Sequence, residues 1–218
     1  MSADEAAVKR RPFRRYSVHV PDAPRGDPDL LRQMVRRLRA LGEHPPTPDA
    51  RAEVERHLGS KWQGIRWVAA HVLGRWGDPE SVEVLRTLME RNTPHEHPVA
   101  LRNTASWALR ECLPAREAPW VLEGYFSATD YFVAEDYFRL VTKLPPDVVR
   151  PRLLQACASA DRDTGRKALK IILNVPFPDR AALLARLAEH ADERVRRQAR
   201  WYLDHDTGRP TRGRVPGS

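Results

Sequence analysis

One apolar position recurs along this chain at Leu73, Leu109, Leu140, Ile171 and Leu203, in steps of 36, 31, 31 and 32 residues. Each occurrence lies in a similar stretch: Ile65 to Asp78 (IRWVAAHVLGRWGD), Leu101 to Pro114, Phe132 to Pro145, Asp163 to Pro176 and Val195 to Gly208. Five residues further on stand Asp78, Pro114, Pro145 and Pro176, residue types that end one helix and open the next. A unit of this length holds two short helices and a turn, too little to bury its own apolar faces, so successive units must stack. The fold expected is all-α, an α-solenoid of about five to six helical hairpins.

The best-preserved unit runs from Gln63 to Arg91. Ile65, Val68, Ala69, Val72 and Leu73 recur at helical spacing, Gly77 can take the left-handed conformation that stops a helix, and Asp78-Pro79 supplies a cap and a first-turn proline. Val82, Leu85, Leu88 and Met89 then mark the returning helix. An earlier, more divergent hairpin starts at Asp27-Pro28, ends its first helix at Gly42 and returns over Pro48 to Leu58. Its Leu41-Gly42 precedes Leu73-Gly74 by 32 residues, one period. The last helix, Glu193 to Asp204, has no return partner and is expected to close the stack, with Arg196, Arg197 and Arg200 solvating its outer face. Three regions follow: an arginine- and proline-rich arm over residues 1–27, a repeat domain over 28–205 and a disordered basic tail over 206–218.

The formal net charge is +8, from 37 Lys and Arg against 29 Asp and Glu. Most of the excess sits at the ends. Residues 1–26 carry six bases against three acids, and residues 207–218 carry three bases and no acid, which leaves the body close to balance. Attraction to an anionic partner, nucleic acid included, is therefore expected to act through the termini. The N-terminus lacks the apolar run of a secretory signal, and no stretch has the length of a membrane span, so a soluble cytoplasmic protein without membrane contact is expected. Cys112 and Cys157 sit in apolar helical patterns without metal-ligand spacing and are expected to be reduced core thiols.

The stretch IRWVAAHVLGRWGDPESVEVLRTL resembles the short bacterial HEAT-like repeat of the phycobilisome-lyase type. Its marks are a hydrophobic residue followed by Arg, two small residues, Leu-Gly, a Gly-Asp-Pro turn and an apolar helix. The resemblance is strongest over residues 63–91, fainter in the units at 99–128, 130–160 and 162–191, and covers most of 28–205 as architecture. It implies an interaction surface, formed in such repeats by the second helices on a concave side. The exposed-looking positions there are Arg86 and Arg91, Trp120 and Tyr125, Arg150 and Arg152, and Arg180 and Arg186, residue types enriched at binding hot spots. The function expected is a non-catalytic scaffold that binds a protein or acidic peptide, without cofactor or metal.

An alternative within the same resemblance is a HEAT-like DNA glycosylase, which would need aromatics to press on a lesion and a carboxylate to face a developing cation. Trp107, Glu111, Trp120 and the run from Tyr125 to Phe138 supply those residue types, although Phe132, Tyr137 and Trp107 fall in or beside the apolar columns and are expected to be core. An iron-hydroxylase pattern requires His-Glu where this chain has Trp67-Val68 and Asn103-Thr104, and is absent. His95, Glu96 and His97, in the insertion that lengthens one period to 36 residues, are adjacent rather than a helical turn apart and are expected to be a solvated loop.

Overall fold

A computed structural model describes residues 28–90 and 98–205. Among the described residues there are eleven α-helices and one 3-10 turn, with no strand. By their contacts the residues fall into two compact units that divide between Cys112 and Leu113. The expected arm, the tail, Arg91 and the His95–His97 loop lie outside the described residues.

The first unit holds α1 (Pro28–Leu41), α2 (Pro48–Leu58), α3 (Gln63–Trp76), α4 (Pro79–Glu90) and α5 (Pro98–Cys112). Thr47 caps α2 by accepting the Ala50 N–H at 3.2 Å, and Pro48 follows it in the first turn. Gly77 ends α3 with φ 63°, its N–H donating to Leu73 O at 3.0 Å. Asp78 then accepts the Ser81 N–H at 3.0 Å and opens α4. Arg51 of α2 reaches this turn, donating to Asp78 at 2.9 Å and to the Ser81 hydroxyl at 3.0 Å. Partial burial opposes ionisation of Asp78, but the Ser81 amide and the Arg51 guanidinium outweigh it and hold the carboxyl below its ordinary range.

Packing in this unit runs α1 on α3 and α3 on α5, with α2 on α3 and α4 on α5 beside them. Both Leu-Gly steps sit at these crossings. A Cβ on Gly42 would meet the Val72 side chain at 3.3 Å, and one on Gly74 would meet Ala108 O at 2.6 Å. The glycines let the first helix of one hairpin approach the first helix of the next.

The second unit opens with the 3-10 turn Ala115–Glu117 and continues through α6 (Ala118–Ser127), α7 (Tyr131–Val141), α8 (Pro146–Cys157), α9 (Arg162–Asn174), α10 (Arg180–Leu187) and α11 (Glu193–Asp204). Aspartates open three of these helices. Asp130 accepts the Val133 N–H, Asp161 the Thr164 N–H, and Asp192 the Arg194 and Val195 N–H groups. The helices pack α6 on α7, α6 on α8, α8 on α9, α8 on α10, α9 on α10, α9 on α11 and α10 on α11.

The recurring column is core in both units: Leu73, Leu109, Leu140 and Ile171 are each 0% exposed. Leu203 departs from it and is half-buried, because α11 buries Val195, Ala199 and Tyr202 instead. Two further expectations are corrected. Phe132 is 58% exposed rather than core. Arg196 does not solvate an outer face, since its guanidinium donates to His190 O and Ala191 O at 2.6 Å each and ties down the turn before α11.

His71 of α3 leans on Trp67 with ring centroids 3.9 Å apart, and its Nε2 is buried without a hydrogen-bond partner. Burial pushes its pKa from 6.5 down to about 4. Above the unfolded value both states are neutral at this residue. Below it the unfolded chain takes up a proton that the folded chain refuses until its own pKa is reached. Stability is therefore expected to fall between pH 6.5 and about 4, by roughly 3 kcal/mol from this residue. Urea unfolding followed across that range should show the slope, and His71→Phe should flatten it.

Candidate functional site

The residues expected to form a binding strip on the second helices are mostly engaged with their neighbours. Arg86 pairs with Glu90 at 3.1 Å along α4. Arg150 of α8 pairs with Asp179, just before α10. Arg152 of α8 lies 3.9 Å from Glu123 of α6 and stands over the Phe126 ring at 4.5 Å. Trp120 is half-buried, edge-on to Tyr137 at 5.4 Å. Arg180 is half-buried and Arg186 exposed. Tyr125 differs from its expected exposed position: it is 1% exposed, with its hydroxyl donating to Lys167 O at 3.3 Å. The ion pairs at Arg150 and Arg152 tie one hairpin to the next.

A cavity of about 690 Å³ opens elsewhere in the second unit. It is lined by the first helices of the hairpins, α7, α9 and α11, together with the end of α6. Its volume lies within the usual range of ligand sites, about 300–1,000 Å³. Of the expected strip, Tyr125 alone contributes to its wall.

Buried side chains of Tyr125, Leu169, Leu173 and Tyr202 give the cavity an apolar base. Tyr131 at the start of α7 and Trp201 near the end of α11 stand at its edges, 68% and 45% exposed. Phe132 touches Tyr131 edge-on at 5.6 Å, and the His205 ring stacks on Trp201 at 4.6 Å.

Four cations line the cavity, Arg166, Lys167, Lys170 and Arg197, against the carboxylates Asp130, Glu135 and Asp163. Each carboxylate is engaged. Asp130 caps α7 at 2.9 Å from Val133 N. Asp163 pairs with Lys167 at 2.7 Å. Glu135 pairs with Lys170, which also stands 4.3 Å from the Phe138 ring centre. Partial burial lowers the Lys170 pKa from its ordinary value. Lys167 is nearly buried and donates to Phe126 O at 3.0 Å and Ala128 O at 2.6 Å, closing the C-terminus of α6. Arg166 is exposed and makes no salt bridge among the described residues.

Sequence reasoning passed over Arg166, Lys167, Lys170, Arg197 and Trp201 because it assigned binding to the second helices. Charged pairs that join hairpins are spaced near the repeat period, as Glu43 with Arg75 (32 residues), Glu135 with Lys170 (35) and Arg150 with Asp179 (29) show. That spacing marks Arg150 as a structural tie but does not single out Arg166, which has Glu135 and Asp136 31 and 30 residues before it. The fold gives Glu135 to Lys170 and Asp136 to Arg139.

The aromatic and acidic run from Trp120 to Phe138 divides between core and surface. Phe126 and Tyr137 are buried, and Asp136 is buried and bonded to Arg139 at 2.8 Å. Among the described residues no group of His, Cys, Asp and Glu is placed to hold a metal ion, and no helix is long and apolar enough to cross a membrane.

The two thiols are unpaired with each other. Burial, with Glu111 and Asp78 adding to it, pushes Cys112 up to about 12, and burial pushes Cys157 up to about 11. Native protein at pH 8 is therefore expected to react with Ellman's reagent at least about tenfold more slowly than the urea-unfolded chain, by absorbance of the released thiolate. Equal rates would show that these thiols are not held as the structure places them.

No family model matches the chain, and no curated protein matches it significantly.

Proposed function

We propose that this chain is a HEAT-like repeat protein, an α-solenoid whose activity is to bind a protein partner as a non-catalytic scaffold. The observation that carries the reading is the repeat itself. One column of apolar residues, about a period apart, is fully buried at Leu73, Leu109, Leu140 and Ile171. First helices follow one another as α1, α3 and α5 in the first unit, and second helices as α6, α8 and α10 in the second. Repeats of this kind make extended surfaces whose outer positions are free to suit a ligand. The groove on α7, α9 and α11 supports the reading further, and we favour it over the ion-paired second-helix strip as the partner's seat.

The DNA glycosylase alternative needs a carboxylate free to face a developing cation. In the run from Tyr125 to Phe138 Asp130 is held by a helix terminus, Glu135 by Lys170 and Asp136 by Arg139, so the carboxylates among those aromatics suit binding better than that chemistry. Glu111 belongs to the first unit instead, exposed at the end of α5.

Affinity capture from nuclease-treated lysate, followed by titration calorimetry with the purified captured protein, tests the proposal. A protein that binds directly and survives nuclease treatment is the expected result. Capture no different from an unrelated control protein, or lost with nuclease, would sink it, as would base release from alkylated DNA in single turnover.

A further inference from the structure

We infer that the α7/α9/α11 groove is a docking site for a short, extended acidic peptide that carries an aromatic or bulky apolar anchor, an inference that rests on the protein-binding reading above. Two independent features of the groove select this ligand. The first is apolar. Among the described residues the exposed large hydrophobic side chains are Leu30, Tyr131, Phe132 and Trp201, and two of these, Tyr131 and Trp201, border one cavity, with Phe132 against Tyr131. Exposed aromatics gathered around a concave site with an apolar base are what an inserted side chain would cover, and Trp, Tyr and Arg are the residues that dominate binding energy at such sites.

The second feature is charge. Four bases line the groove, Arg166, Lys167, Lys170 and Arg197, against the acids Asp130, Glu135 and Asp163. Within the groove the three carboxylates are already satisfied, whereas Arg166 has no salt bridge among the described residues and Arg197 meets only Glu193, both partners being more than 70% exposed. An exposed pair of that kind is worth little and yields readily to a better-placed carboxylate. Arg166 on α9 and Arg197 on α11 therefore stand ready for anions in the groove lining.

The spacing favours a peptide over a nucleic acid. A phosphate backbone carries a charge at every nucleotide and needs a track of available cations. Here Lys167 and Lys170 are committed to carbonyls and carboxylates, whereas Arg166 and the loosely paired Arg197 suit a few acidic side chains. Neighbouring helix axes stand about 8–10 Å apart, and residues two apart on an extended chain are about 7 Å apart. Acidic side chains flanking an anchor can thus reach the cations while the anchor enters between Tyr131 and Trp201.

The test is selection of binders from a library of random short peptides displayed on phage, using the full-length protein, with each selected peptide then titrated by fluorescence anisotropy. The expected consensus is an aromatic or large aliphatic residue flanked by Asp or Glu. Trp201→Ala and Arg166→Glu should each weaken binding by about tenfold or more, equal to about 1.4 kcal/mol, and replacing the peptide's acids by amides should do the same. Both residues are exposed, and thermal melts of the variants verify that the fold is kept. Selected peptides that lack acids, or that ignore both variants, would overturn this site while leaving protein binding in place. No selectable peptide at all would overturn the site and weaken the reading beneath it. An oligo-dT of equal charge that competes as well as the peptide would overturn the site in favour of nucleic acid.

Discussion

Replacing Lys167 by methionine is expected to lower the unfolding free energy by about 4 kcal/mol. The lysine stem is buried along α9, and its ammonium donates to Phe126 O at 3.0 Å and Ala128 O at 2.6 Å while pairing with Asp163 at 2.7 Å. Carbonyls at the C-terminus of α6 have no later turn of helix to satisfy them, and they lie at the negative end of its dipole. Methionine refills the volume of the stem but donates nothing, so the buried Phe126 carbonyl and the part-buried Ala128 carbonyl lose a charged partner. Asp163 is 60% exposed and can return to water, so its share of the bonding is small. Asp163→Asn should therefore cost below about 1 kcal/mol. Urea melts of the two variants separate the accounts: equal losses would mean that the ion pair, not the carbonyl cap, holds the lysine. Because Lys167 also lines the groove, peptide affinity should fall in the methionine variant more than stability alone requires, read at a temperature where both proteins are folded.

How far the fold could be foreseen depended on which physical constraint repeated. The turn at Gly77, Asp78 and Pro79 was legible because each residue there meets a local demand: a positive φ, an N-terminal acceptor and a fixed first-turn φ. The buried column was legible because stacking makes the same demand once per unit. Phe132 shows where periodicity stops informing. It lies on the stripe continued by Asp136 and Leu140, four and eight residues on, but in the first turn of α7, beyond the covered part of that stripe. Tertiary cover, not helical phase, decides exposure there. Asp136 fails in the opposite sense, since a carboxylate looks like a surface residue until Arg139 one turn on is seen to neutralise it in the core.

The groove was the least legible part. Its cations lie on α9 and α11 among many other surface bases, and nothing in a linear charge count separates Arg166 from Arg150. The difference is a partner in the adjoining hairpin, Asp179 for Arg150 and none among the described residues for Arg166. Charge matched across one repeat period is a structural tie. Charge unmatched across it is available to a ligand.

Gly74→Ala is expected to destabilise the first unit by about 3 kcal/mol, even though alanine is the better helix former by about 1 kcal/mol. The new Cβ would stand 2.6 Å from Ala108 O, 3.0 Å from Ala108 C and 3.1 Å from its Cα. All three are backbone atoms of α5, so no side-chain rotation relieves the overlap and α3 must move away from α5. That movement opens the seam in which Leu73 and Leu109 are wholly buried. Gly59→Ala is the control, because its nearest neighbour would be Arg56 O at 3.7 Å, and it should change stability by less than about 0.5 kcal/mol. A second comparison identifies the obstacle. Gly124→Ala would place its Cβ 2.3 Å from Tyr137 Cε1, a side-chain atom, so Tyr137→Leu should relieve much of its cost. Ala108→Gly should not relieve Gly74→Ala, since the atoms in the way remain. Urea melts of both double-variant cycles give the coupling energies: about 1 kcal/mol or more of rescue is expected at Gly124 with Tyr137 and none at Gly74 with Ala108. Rescue by Ala108→Gly would mean that the helices do not meet backbone to backbone at this glycine.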